Sequence, residues 1–170
     1  MNKKLKVGII GIGRLGNLYA RYFLGRISNA TLVAVSDILE DIAKSFATEH
    51  NISRWYKDYQ DLIADKAVDA VVIVTPTSLH KEISIAAADA GKAVFCEKPL
   101  SVSMEGSLAI KEAVDRTGIF YHLGFMRRFD KGYATAKKKI DDQANKCVVT
   151  VNAPVQNRSP LSPNSTPAAA

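Results

Sequence analysis

The chain is poor in cysteine and lacks any long apolar run, and each scarcity narrows what it can be. Two cysteines, Cys96 and Cys147, cannot build the disulfide framework of a small secreted scaffold and fit a reducing cytosol. No stretch approaches the roughly 20 apolar residues of a membrane helix. The apolar segment after Lys3, Lys4 and Lys6 is too short for a signal peptide, and Arg14 interrupts it before any small-residue cleavage site. A soluble, cytoplasmic protein with no membrane partner is therefore expected. Concentrated positive charge is also missing. The net charge is +6, but the basic residues are scattered. The one dense run, Lys137 to Lys139, adjoins Asp141 and Asp142 and reads as a solvated helix face, so no nucleic-acid partner is expected. No metal-ligand set is expected either.

The end of the chain lacks still more. From Gln143 to Ala170 there is no glycine and no acidic residue, and only Lys146 and Arg158 carry charge. Pro154, Pro160, Pro163 and Pro167 fall within it among Ser and Asn. This composition cannot bury enough apolar surface to offset the entropy of ordering, so residues 143–170 are predicted to be disordered. Cys147 to Val151 is their one candidate strand.

Before that point, short β-branched runs alternate with longer segments of helical spacing, the pattern of a parallel sheet covered by helices. Strands are predicted at Leu5–Ile10, Thr31–Ser36, Arg54–Tyr56, Asp69–Val74, Ala93–Cys96 and Ile119–Leu123. Helices are predicted at Arg14–Leu24, with apolar Leu15, Leu18, Tyr19, Tyr22 and Phe23 in helical spacing, Leu39–His50, around Tyr59 to Ile63, Leu79–Ala90 ending at Gly91, and Ser103–Arg116 closed by Gly118. The fold class is α/β, a doubly wound parallel sheet over residues 1–125.

Gly11-Ile12-Gly13-Arg14-Leu15-Gly16 follows the first strand and opens the first helix. In that context the spacing is a dinucleotide fingerprint: Gly11 for the tight turn, Gly13 for close approach of pyrophosphate, Gly16 for helix–strand packing. The helix start offers free N–H groups and partial positive charge to phosphates. Asp37 ends the second strand about 20 residues after Gly16, where a carboxylate accepts from the adenosine ribose hydroxyls. It would repel a 2′-phosphate by roughly 1 kcal/mol in water and about 4 at intermediate dielectric. No basic residue follows before Lys44, so NAD is expected over NADP. Asp37 could equally cap the second helix, and Ile38 beside it joins the cofactor candidates. The glycines alone leave FAD, S-adenosylmethionine and CoA open.

Three further segments sit at the carboxyl ends of strands, the edge where open α/β sheets bind ligands. They are Val74-Thr75-Pro76-Thr77-Ser78-Leu79-His80, Phe95-Cys96-Glu97-Lys98-Pro99-Leu100 and Gly124-Phe125-Met126-Arg127-Arg128-Phe129-Asp130. Thr75, Pro76, His80 and Glu97 are candidate cofactor contacts, although His80 also reads as a satisfied helix-start histidine. Arg127 is a candidate donor to substrate hydroxyls, or a surface partner of Asp130. Glu97-Lys98-Pro99 could also be a plain turn with a solvated lysine.

Together these segments resemble the Gfo/Idh/MocA family of oxidoreductases over about residues 5–142, and the Met126-Arg127-Arg128 stretch resembles its inositol 2-dehydrogenase branch. The resemblance implies that Lys98 lies beside the nicotinamide and the reacting hydroxyl, with a cis peptide before Pro99. It implies hydride transfer from a secondary hydroxyl of a cyclic polyol to NAD, in a homo-oligomer. A lysine near the positive ring would more readily be neutral, because like charges disfavour its protonated form, and could then take part in proton transfer. The family's second domain, which supplies an Asp–His pair and most of the substrate pocket, is not expected here: residues 126–142 read as the start of the connection to it. The abrupt change near Asp141-Asp142 suggests a frameshift, with a genuine short tail as the alternative. An inactive or weakly active fragment is the expected product. A non-catalytic dinucleotide-binding module and a different sugar dehydrogenase are the competing readings.

Overall fold

In the computed structural model, which describes residues 4–143, strands and helices alternate along the chain. The order is β1 (Leu5–Ile10), α1 (Arg14–Gly25), β2 (Ala30–Ser36), α2 (Glu40–Glu49), β3 (Arg54–Tyr56), α3 (Tyr59–Ala64) and β4 (Ala70–Ile73). It continues with α4 (Thr77–Asp89), β5 (Ala93–Glu97), α5 (Met104–Thr117), β6 (Tyr121–Gly124), a 3-10 turn (Met126–Phe129) and α6 (Lys131–Gln143). The strands form one six-stranded sheet in the order β3-β2-β1-β4-β5-β6, and every neighbouring pair is parallel. This is the doubly wound dinucleotide-binding order. The crossovers run outward in both directions from β1 and β4. The loops after these two strands therefore part company and leave a crevice at the carboxyl edge.

Burial explains the strands. All of Ala70–Ile73 is buried, as a central parallel strand covered on both faces must be. One face packs Val7, Ile9, Leu32, Val35 and Val72 against α1 and α2 residues such as Ala20 and Phe46. The other packs Ile10, Val71 and Ile73 with Leu62 and Ile63 of α3 and Ile83 and Ala87 of α4. Each fully buried isoleucine stabilises the fold by about 1.5–3 kcal/mol.

Several boundaries differ from the sequence expectation for local reasons. α4 starts at Thr77 rather than Leu79 because Pro76, with φ −55°, already stands at the cap. α2 starts at Glu40, with Leu39 as its cap. β6 begins at Tyr121 instead of Ile119. α5 is capped by the Ser103 hydroxyl, which accepts the Gly106 N–H at 3.1 Å, and closes on Gly118 at φ +67°.

The chain divides between Met126 and Arg127 into two compact units. In the second, Asp130 Oδ1 accepts the N–H groups of Gly132 and Tyr133 at 2.9 and 3.2 Å and so starts α6. Lys137, Lys138 and Lys139 are exposed on that helix, and Lys137 pairs with Asp141 one turn on. Gln143 still closes α6, one residue into the predicted tail. The remaining tail expectations, including the strand Cys147–Val151, lie outside the described residues.

Candidate dinucleotide-binding site

The glycines of the first loop are there for different physical reasons. Gly11 has φ +94°, and a Cβ on it would stand 3.0 Å from the Val74 carbonyl oxygen. On Gly16 a Cβ would lie 1.9 Å from the Gly11 carbonyl oxygen, so the packing of α1 on the loop admits no side chain. A Cβ on Gly13 would meet nothing within 4 Å. No neighbour in the protein requires that glycine, and the open space in front of it is what a ligand needs. Gly13 caps α1 without any side-chain hydrogen bond, and no acidic residue occupies the first turn. The helix thus presents uncapped N–H groups and its positive dipole end to an anion. Ile12, Gly13, Arg14 and Leu15 line an open depression of about 710 Å³ that continues along α1 to Arg21.

Asp37 is tied into this loop. Its Oδ2 accepts the Ile12 N–H at 2.8 Å, and Oδ1 accepts the Leu39 N–H at 3.0 Å. The carboxylate therefore closes a turn before α2 rather than capping the helix itself. A carboxylate has about four acceptor sites, so capacity remains for ribose hydroxyls. Ile38 beside it is 80% exposed. Lys44, the next cation in sequence, lies over the Trp55 ring at 5.8 Å.

On the other side of the crevice, a Cβ on Gly11 would lie 3.3 Å from Thr75 Cγ2. Thr75 Oγ1 is buried without a hydrogen-bond partner. An orphaned hydroxyl beside the turn and an unfilled cradle at Gly13 both fit a bound dinucleotide. Pro76 follows, exposed, at the start of α4. His80 is only 1% exposed. Its Nε2 lies 3.0 Å from the Thr75 carbonyl oxygen and its Nδ1 2.8 Å from that of Pro99. The ring thus joins the loop after β4 to the loop after β5, with both nitrogens occupied by backbone.

Glu97 ends β5, and the Lys98–Pro99 peptide that follows is cis, as the resemblance implied. Glu97 Oε2 accepts the Lys98 N–H at 3.0 Å, and Oε1 accepts the Tyr19 hydroxyl at 2.5 Å. Lys98 is exposed, and its ammonium has no hydrogen-bond or ion-pair partner among the described residues. Burial pushes the neighbouring Cys96 thiol up from its ordinary pKa, so it is an inert core group rather than a nucleophile. Arg127 belongs to the second unit, where its guanidinium lies 5.0 Å from the centre of the Tyr133 ring. Asp130 is occupied with the start of α6, and among the described residues no ion pair joins the two. Sequence reasoning placed Tyr19 on an apolar helix face and missed its hydroxyl. Only its spacing signal was visible, because its partner is 78 residues away.

A six-stranded parallel sheet in this order, with a glycine turn opening α1 and a carboxylate ending β2, defines a dinucleotide-binding domain of the Rossmann type. The family described as "Oxidoreductase family, NAD-binding Rossmann fold" matches residues 5–125. The chain belongs to this Gfo/Idh/MocA family. It is 43% identical over 141 residues to scyllo-inositol 2-dehydrogenase (NAD(+)) of Bacillus subtilis, covering 83% of this chain and 41% of that protein. It is 36% identical to myo-inositol 2-dehydrogenase of Thermotoga maritima, over 81% of this chain and 41% of that one. Among solved structures, scyllo-inositol dehydrogenase from Lactobacillus casei with bound NAD(H) and scyllo-inositol superposes with a TM-score of 0.79 at 32% identity, over 84% of this chain and 42% of that chain. The chain thus spans about two fifths of the length of these relatives. Among the described residues no helix is long and apolar enough to cross a membrane.

Proposed function

We propose that this chain is the NAD-binding half of an NAD-dependent dehydrogenase that oxidises a secondary hydroxyl of a cyclic polyol of the inositol class. The observation that carries the reading is the gathering of three different groups on one sheet edge: an open amide cradle at Gly13, a carboxylate at Asp37 and an unpaired amine at Lys98. Two relatives named as inositol dehydrogenases match about four fifths of this chain at 36–43% identity. The amides of Gly13, Arg14 and Leu15 would hold the pyrophosphate. Asp37 and Ile38 would hold the adenosine end, and Thr75, Pro76 and Glu97 would line the way to the nicotinamide. A bound nicotinamide supplies the hydride acceptor.

Lys98 would take the proton of the hydroxyl as it is oxidised, and Arg127 would donate to a ring hydroxyl of the polyol. His80 fixes the two loops between which that chemistry takes place. A neutral amine is needed to take that proton. A cytoplasmic location, in the company of soluble metabolites, accords with this role.

The 170-residue chain by itself is proposed to bind NAD and to turn over inositol little or not at all, because the acid–base groups beside the Lys98 turn, Glu97 and His80, are both taken up by hydrogen bonds within the fold. A missing general acid or base removes a factor of about 10²–10⁴. The test is incubation of the purified chain with NAD and myo- or scyllo-inositol, following reduced nicotinamide by absorbance. Formation far slower than one turnover per second is expected. Rates of roughly 1–10³ s⁻¹, the ordinary enzyme range, would contradict the reading of the chain as a partial catalyst.

A further inference from the structure

Glu97 stands one residue before the lysine assigned to proton transfer, yet its carboxylate is engaged elsewhere. One oxygen takes the Tyr19 hydroxyl from α1, and the other takes the backbone N–H of Lys98. The Tyr19 ring is fixed in turn, tilted against Phe95 with centroids 5.5 Å apart. β6 closes the third side: a Cβ on Gly124 would lie 3.2 Å from Glu97 Oε1 and 3.2 Å from Phe95 Cζ. Three elements thus converge on one carboxylate. The nearest cation along the chain is the Lys98 amine, on the same residue whose N–H that carboxylate accepts.

We infer that Tyr19 is a positioning residue, whose hydroxyl holds the Glu97 carboxylate off the Lys98 amine. The inference rests on the reading of Lys98 as the proton-transfer group. A carboxylate paired with the ammonium would keep the proton on it. With both Glu97 oxygens satisfied by charge-assisted hydrogen bonds, the amine is left unpaired for the substrate. Burial, followed by the bond to Glu97, holds the Tyr19 phenol well above its ordinary pKa, so it remains a donor throughout the neutral range. Tyr19 also lies on the helix whose first turn faces the phosphates. One hydroxyl therefore links the cofactor helix to the lysine turn.

The test needs no cofactor and no turnover. An amine-selective acylating reagent is applied at constant pH to the 170-residue chain, and labelling of the Lys98 peptide is followed by mass spectrometry, with the other lysines as internal controls. Tyr19→Phe is expected to slow Lys98 labelling by about 1.5- to 5-fold, the range of an exposed ion pair, while other lysines are unaffected. Adding Glu97→Gln to Tyr19→Phe is expected to restore the original rate, which a merely structural role for Tyr19 would not do. Gly124→Ala, which crowds the same carboxylate oxygen from β6, should also slow Lys98 and gives a second route should Tyr19→Phe unfold. Unchanged labelling in folded Tyr19→Phe, or a slowdown that persists in the double variant, would overturn the inference. Loss of the dehydrogenase reading would show instead as failure of the unaltered chain to bind NAD, a separate result.

Discussion

The Asp37 carboxylate accepts the amide N–H of Ile12 at 2.8 Å, so the group proposed to read the adenosine ribose also holds the glycine loop. In the proposed site, selectivity and loop geometry are coupled through one side chain. Asp37→Ala should therefore weaken both cofactors instead of simply exchanging one for the other. Loss of bonds to a charged acceptor, each about 1.5–3 kcal/mol, predicts at least about a tenfold drop in NAD affinity. The NAD-to-NADP ratio should narrow at the same time, because a repulsion specific to the 2′-phosphate disappears. Calorimetric titration with both cofactors checks this. NAD affinity that survives the substitution unchanged would show that the bond to Ile12 does not set the loop.

Gly13 and Gly16 should separate function from stability. Gly16→Ala drives a methyl to 1.9 Å from the Gly11 carbonyl oxygen and should cost about 2–3 kcal/mol in urea unfolding, with binding lost as well. Gly13→Ala meets no protein atom within 4 Å and should leave the unfolding midpoint where it is. Its methyl would instead enter the space proposed for the pyrophosphate, so NAD affinity should fall.

His80 is a structural tie whose removal should be felt in both loops. His80→Leu removes the ring N–H that donates to one of these two carbonyl oxygens, and should destabilise the fold by about 1–3 kcal/mol. Weaker NAD binding should accompany it, because Thr75 and Pro99 lose their common anchor. Urea unfolding followed by circular dichroism, paired with a cofactor titration, reads both effects.

Acid should weaken the far edge of the sheet through Asp65. The Ala67 N–H, then the Tyr56 hydroxyl and the Arg54 guanidinium, hold its carboxyl below the ordinary range despite the opposing effect of burial. A folded pKa below the unfolded value, which is about 4, gives stability that is complete above that value. The stability is lost as the pH falls through the folded one. Asp65→Asn should thus destabilise by about 1–3 kcal/mol at pH 7, with the difference from the unaltered chain shrinking at pH 3. Urea midpoints at the two pH values measure it.

Much of the site was legible in the sequence because its signals are local. Gly11, Gly13 and Gly16 share one turn, and Lys98 is marked by the glutamate and proline on either side of it. What escaped was long-range. The Tyr19 hydroxyl was indistinguishable from the apolar stripe it shares with Phe23, since nothing near it in sequence names Glu97. His80 looked like a helix-start residue, and only the folded loops reveal that its two nitrogens face Thr75 and Pro99. Asp37 was placed correctly at the end of β2, but its bond to Ile12 depends on the parallel register that sets Ile10 beside Ser36. Helix starts shifted where a proline, as at Pro76, lets the helix begin before its first apolar residue.

Bare amides at the start of α1 and one carboxylate at the end of β2 are proposed to form a site for NAD. Parallel calorimetric titrations of the unaltered chain with NAD and NADP at millimolar concentration decide whether they do. Saturable NAD binding, with NADP weaker, is the predicted result. No binding of either cofactor, or an equal affinity for both, would contradict it.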